Sequence, residues 1–142
     1  MSTYRNPLLA SVERAEGLLE HVNEICHQYE LAMEQRHLAL EAYQNAKDTY
    51  DQQESEFVVD VMFSDERYVK GKNAETRKAV LDVRLIEARN EGPLARAWQA
   101  MNAAKATFDA ADMAFNQLDA RFKAVRVAAG LQDAMLRAAS LR

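Results

Sequence analysis

Glu24-Ile25-Cys26-His27 and Glu34-Gln35-Arg36-His37 each place a carboxylate three residues before an imidazole. On a helix that spacing brings both groups to one face, the arrangement by which di-iron helical bundles hold their metals. Those bundles take the two pairs from different helices and add inward glutamates from two more. Here both pairs fall in one helical stretch, and residues 95–140 contain no glutamate. The residues read better as a solvated, ion-pairing face, and no metal or other cofactor is expected. Cys26 lies on an apolar stripe where a small side chain is wanted, and His27 beside it points another way around a helix. There is no glycine-rich phosphate loop, zinc spacing or nucleophile elbow, so no catalytic residues are assigned and a non-enzymatic protein is expected.

The stretch Arg67-Tyr-Val-Lys-Gly-Lys-Asn-Ala-Glu-Thr-Arg-Lys78 is of another kind. Arg84 and Arg89 extend the basic segment to residue 89, with Glu75, Asp82 and Glu87 leaving it at +4. Within it, Arg67, Lys70, Lys72, Arg77 and Lys78 surround Gly71 and lead into a helix start at Asn73-Ala74. Cations on a turn that feeds a helix N-terminus suit phosphate, because free backbone N–H groups add to the side-chain charge. Tyr68 among them is an aromatic that could stack a base. These six residues form a candidate nucleic-acid contact. The plainer alternative is an elbow kept soluble by charges that pair with acidic neighbours. Opposite in sign is the first helix, where Glu13, Glu16, Glu20, Glu24, Glu30 and Glu34 make a candidate docking face for a basic protein partner.

Charge is unevenly spread along the 142 residues. Residues 1–60 carry a net −8, residues 61–92 carry +1 and residues 93–142 carry +3, within a total of −4. An acidic first third and a mildly basic remainder favour a chain that folds back on itself. One cysteine allows no internal disulfide, no apolar run is long enough to span a bilayer, and no signal segment opens the chain. These features point to the cytoplasm and away from membranes.

The elements that must carry these residues are helices. The chain has four glycines and two prolines, is rich in Ala, Leu, Glu, Gln and Arg, and shows no alternating β-branched run. From about Leu8 to Asp60 apolar residues recur at heptad spacing. One row reads Val12, Leu19, Cys26, Met33, Leu40, Lys47 and Glu54; the next reads Ala15, Val22, Tyr29, Arg36, Tyr43, Tyr50 and Phe57. The pattern predicts one long helix of about 75–80 Å, with Pro7 at its start and Asn6 as its cap. A connection over about 61–73 follows, in which Gly71 is expected to take a positive φ. Asn73 then caps a short helix over about 74–89, with Val80, Leu81, Val83, Leu85 and Ile86 as its apolar side. Gly92-Pro93 opens a second long helix over about 93–139, with Leu94, Met101, Phe108, Phe115, Phe122, Ala129 and Leu136 beside Ala97, Ala104, Ala111, Leu118, Val125, Gln132 and Ala139.

The expected fold is therefore all-α, a single domain built as a long antiparallel, coiled-coil-like hairpin with a short middle helix at its elbow. One register pairs Tyr50 with Met101, Tyr43 with Phe108, Arg36 with Phe115, Tyr29 with Phe122 and Val22 with Ala129. It stacks aromatics along the seam and lays Arg36 on a phenylalanine face. The spacing leaves the registers one heptad to either side open as well. A further row on the first helix, Leu18, Ile25, Ala32, Ala39 and Ala46, is matched in character by Ala100, Ala114, Ala128 and Met135 on the last. That width predicts a multi-helix oligomer, most simply a dimer.

Gly71-Lys72-Asn73-Ala74-Glu75 with Arg77 following, set between a long first helix and an Ala-rich closing helix, resembles a loose group of short helical proteins of bacteriophages and prophages. The resemblance is carried by Gly71–Leu81. It implies a bacterial host cell and an accessory role in DNA recombination or replication, or a role against host defence, and it brings no active site with it.

Overall fold

In a computed structural model residues 7–140 are described, and they form four helices: α1 (Pro7–Ser64), α2 (Glu66–Val69), α3 (Ala74–Asn90) and α4 (Ala95–Ser140). No strand occurs among the described residues. The Asn6 cap lies outside them. The fold is an all-α helical hairpin in which α1 and α4 pack together, and the chain divides into two compact units. One unit comprises Met1–Arg36 with Ala111–Arg142, the two-helix unit; the other comprises His37–Ala110, the elbow unit.

In the two-helix unit, Ile25 and Ala32 of α1 are buried, and Leu18, Val22 and Tyr29 are half-buried. From α4 come Ala111, Phe115, Leu118, Phe122, Val125 and Ala129, all half-buried. Tyr29 stands between two rings, 5.2 Å from the centroid of Phe115 and stacked at 5.3 Å on Phe122. The Arg36 guanidinium lies 5.0 Å over Phe115, and its Nε donates to Asp112 at 2.7 Å. The expected Arg36–Phe115 and Tyr29–Phe122 pairs are thus present.

The row assigned to the first seam is met only in part: Cys26 and Leu40 are half-buried, while Leu19 and Met33 are 61% and 49% exposed and Val12 is exposed too. The row expected to be left over for self-association, Leu18-Ile25-Ala32, turns inward instead. The seam lies between the Val22-Tyr29-Arg36 row and the Leu18-Ile25-Ala32 row, so the Val12-Leu19-Met33 row, on the far side of the first, is turned toward water.

The elbow unit has a denser centre. Tyr50, Ala88, Leu94 and Ala97 are buried together, with Phe57, Leu85, Trp98 and Met101 packed around them. Tyr43 stacks on Phe108 at 6.4 Å, and Tyr50 meets Trp98 at 5.2 Å. Ala39 is buried and Ala46 half-buried, continuing the alanine row. On α3 the inward residues are Leu81, Leu85 and Ala88, while Val83 and Ile86 face water at 48% and 57% exposure.

The connection differs from expectation at three points. α1 continues to Ser64 because Val61, 1% exposed, anchors its last turn. Asp65 then leaves helical geometry and caps a single helical turn, accepting from the N–H groups of Arg67 at 2.9 Å and Tyr68 at 3.4 Å. Gly71 does not take a positive φ. It is required for closeness, since a Cβ there would lie 2.6 Å from Arg77 Cγ and 3.1 Å from the Tyr68 carbonyl. Asn73 does cap α3, its side chain accepting from the Thr76 N–H at 2.8 Å. At the other end of α3, a Cβ on Gly92 would lie 2.6 Å from Ala88 Cα, so the turn into α4 closes backbone against backbone.

Candidate nucleic-acid interface

The sequence singled out a basic segment, and the structure sorts its cations by capping and packing. Asp65 ends α1, caps α2 and is left only partly exposed, with its second oxygen 3.2 Å from Arg84 Nε. Arg84 extends from α3 across Phe57, 5.9 Å from the ring centroid, and also reaches Glu87 at 3.6 Å. Its Nε is buried and not aligned for a hydrogen bond, so the ion pair with Asp65 is its compensation. Arg89 turns inward as well. Its Nε donates to the Tyr50 hydroxyl at 2.6 Å, an Nη lies 3.4 Å from Glu54, and the guanidinium sits 4.6 Å over Trp98. Both arginines belong to the elbow's packing and leave the candidate surface.

What remains is the set Arg67, Lys70, Lys72, Arg77 and Lys78, all exposed. Arg67 and Lys70 reach Asp65 and Glu66 only at 3.8 Å, with side chains 65% and 77% exposed. Such pairs at the surface contribute little and yield readily to a competing anion. Lys72, Arg77 and Lys78 form no ion pair among the described residues. Lys72 directly precedes the Asn73 cap, and Arg77 folds its stem against Gly71, so two cations flank the first turn of α3. Tyr68 is half-buried and its N–H is held by Asp65, which leaves it a poorer stacking platform than the sequence suggested.

The acidic set is presented along α1. Glu16, Glu20, Glu24, Glu30 and Glu34 are exposed, as is Glu13. Glu24 accepts from Gln28 at 3.4 Å, one turn on. His27 and His37 are exposed and Cys26 half-buried, and among the described residues no three His, Cys, Asp or Glu side chains converge to hold a metal ion. No described helix is long and apolar enough to cross a membrane.

Two features of the elbow do not follow from the sequence pattern as read above: the Asp65–Arg84 pair and the Arg89 centre with Tyr50, Glu54 and Trp98. The first carried a signal, since Asp followed by Glu-Arg-Tyr is an N-cap pattern. The second depends on α3 lying against α1 and α4, which heptad spacing does not encode. No family model, curated protein or solved structure matches this chain.

Proposed function

We propose that this protein is a non-enzymatic nucleic-acid-binding accessory of a bacteriophage or mobile element, acting in DNA recombination or replication. The observation that supports it is the division of labour among the elbow's basic residues. Arg84 and Arg89 are taken up by packing, while Arg67, Lys70, Lys72, Arg77 and Lys78 stay exposed around the first turn of α3. Cations kept out of strong internal pairs, next to a helix N-terminus, fit a phosphate backbone. The phage setting rests on the resemblance around Gly71–Leu81.

A titration of labelled single- and double-stranded DNA at two salt concentrations tests this reading. Binding is expected to weaken steeply with salt. Neutralising Lys70, Lys72 and Arg77 together reduces the slope of log K against log salt by about 2–3, since each cation removed leaves one phosphate with its own counterion. Absence of binding at low salt overturns the proposal.

The second reading has its own support. Glu16, Glu20, Glu30 and Glu34 are exposed and form no ion pair among the described residues, so the acidic side of α1 is left for an outside partner. A basic protein docking there would make the chain an interaction module or inhibitor. Binding to a polycationic column that survives neutralisation of the elbow but is lost on Glu→Gln changes along α1 favours it.

A further inference from the structure

The inward side of α4 was expected; its outward side is more unusual. Between residues 111 and 140 that side presents Met113, Val127, Leu131 and Met135 at 64%, 64%, 60% and 71% exposure. The positions between them are almost all alanine and are also exposed. Gln117 and Arg121 are its polar interruptions. This is a second apolar side on a helix whose inner side is already packed on α1, and a second apolar side needs cover of its own. With these alanines the four large side chains form a contiguous exposed apolar patch of the kind that marks an association surface.

We infer that this face of α4 is the contact between two copies of the chain, packed antiparallel across a two-fold axis. The argument for a second copy is that the face is complementary to itself. The two heptad rows flanking its midline read Met113, Ala120, Val127, Ala134 and Gln117, Ala124, Leu131, Ala138. In an antiparallel pair, one row of each helix alternates in layers with the other row of its partner. One register sets Met113 against Ala138, Ala120 against Leu131, Val127 against Ala124 and Ala134 against Gln117. Every layer then holds one long and one small side chain, and the two-fold repeats each layer. Sliding by one heptad in either direction puts Leu131 against Met113 or against Val127, and sets alanine against alanine in other layers, such as Ala120 with Ala124 or with Ala138, leaving clashes beside voids.

The borders of the face agree with the same register. Met135 falls opposite Ala114, and Arg121 opposite Ala128. On the other border Lys123 meets Gly130 and Arg137 meets Asn116, so no like charges face one another. Lys123 and Arg137 are already paired one turn back, with Asp119 at 2.9 Å and Asp133 at 3.1 Å, which keeps both side chains along the helix. This interface replaces the α1 row first expected to drive association, since that row is occupied within the chain.

Sedimentation of the full chain is expected to give twice the chain mass. The variant Ala124→Glu/Val127→Glu changes two exposed positions, so its helical circular dichroism stays at the wild-type level while its mass falls to one chain. Met33→Glu, on the exposed α1 row, is expected to leave the mass at two chains. To read the register, Ala124→Cys and Val127→Cys chains, each also carrying Cys26→Ser, are mixed and oxidised. They form mixed disulfide dimers several-fold faster than Val127→Cys chains mixed with Leu131→Cys chains. A monomeric wild type, a dimer that survives the double substitution, or a dimer lost with Met33→Glu overturns the inference.

Discussion

The elbow unit and the two-helix unit are built from the same two helices by the same heptad rule, yet they reach different degrees of closure. In each, an arginine is held by an aromatic ring and a carboxylate, Arg36 from α1 and Arg89 from α3. Arg89 has Trp98 at 4.6 Å, the Tyr50 hydroxyl at 2.6 Å and Glu54 at 3.4 Å, and its side chain is 29% exposed. Arg36 has Phe115 at 5.0 Å and Asp112 at 2.7 Å, and is 41% exposed. The difference is the third helix. In the elbow unit α3 adds Leu85 and Ala88 over Tyr50 and Leu94, so the polar centre is shielded. The two-helix unit has no such cover, and an apolar groove of about 690 Å³ lies open between Leu18, Leu19 and Val22 of α1 and Met135 and Leu136 of α4. Two amphipathic helices make a seam; a third is needed to make a core.

Substituting the two arginines breaks that comparison most directly. Arg89→Met leaves Glu54 without its cation and the Tyr50 hydroxyl without its donor in a shielded site, at an expected cost of about 2–3 kcal/mol. Arg36→Met removes a pair more than a third exposed, where solvent screening holds the loss to about 0.5–1 kcal/mol. Urea denaturation of both variants measures the difference. Equal losses would mean that α3 shields nothing.

How far these units were legible in the sequence follows the same division. Along the two long helices, spacing and side-chain type sufficed: Tyr43 on Phe108, Arg36 on Phe115 and Tyr29 on Phe122 all follow from one register. Which apolar row of α1 points inward was not legible. Val12-Leu19-Met33 and Leu18-Ile25-Ala32 flank the Val22-Tyr29-Arg36 row on its two sides, and heptad spacing alone does not choose between them. At the elbow, the cap at Asn73 could be read, but Gly71 was assigned a positive φ when its need is proximity to Arg77. Of the basic segment, the five cations that stay exposed carry the same sequence signal as Arg84 and Arg89, which do not. Burial of a cation by a distant ring leaves no mark in local spacing.

Glycines sharpen the contrast at a smaller scale. Gly92, in the elbow unit, has Ala88 Cα 2.6 Å and Ala88 carbonyl oxygen 3.1 Å from where a Cβ would stand, and backbone atoms cannot step aside cheaply. Gly92→Ala is expected to cost about 1–3 kcal/mol through displacement of the α3–α4 turn. Gly130, in the two-helix unit, has nothing within 4 Å. As it lies inside α4, Gly130→Ala is expected to gain about 0.5–1 kcal/mol by helix propensity alone. Thermal melts of the two variants should move in opposite directions; a shared sign would show that local helix preference outweighs packing at the turn.

The smallest effect concerns protons. Burial is the leading cause that raises the Tyr50 pKa above its ordinary value, Glu54 raises it further, and Arg89 opposes both. Because the folded chain holds this proton more tightly than the unfolded chain, the associated stability is complete below the unfolded tyrosine pKa of about 10. It is lost as pH rises through the higher folded value. Tyr50→Phe cannot ionise, so it lacks this alkaline loss while also lacking the hydrogen bond from Arg89. The stability advantage of wild type over Tyr50→Phe is therefore expected to be constant from pH 8 to about 9.5 and to shrink above about 10. Urea midpoints at these pH values read it. An advantage that grew with pH would mean that Arg89 outweighs burial and Glu54 together, making the site one that favours the phenolate.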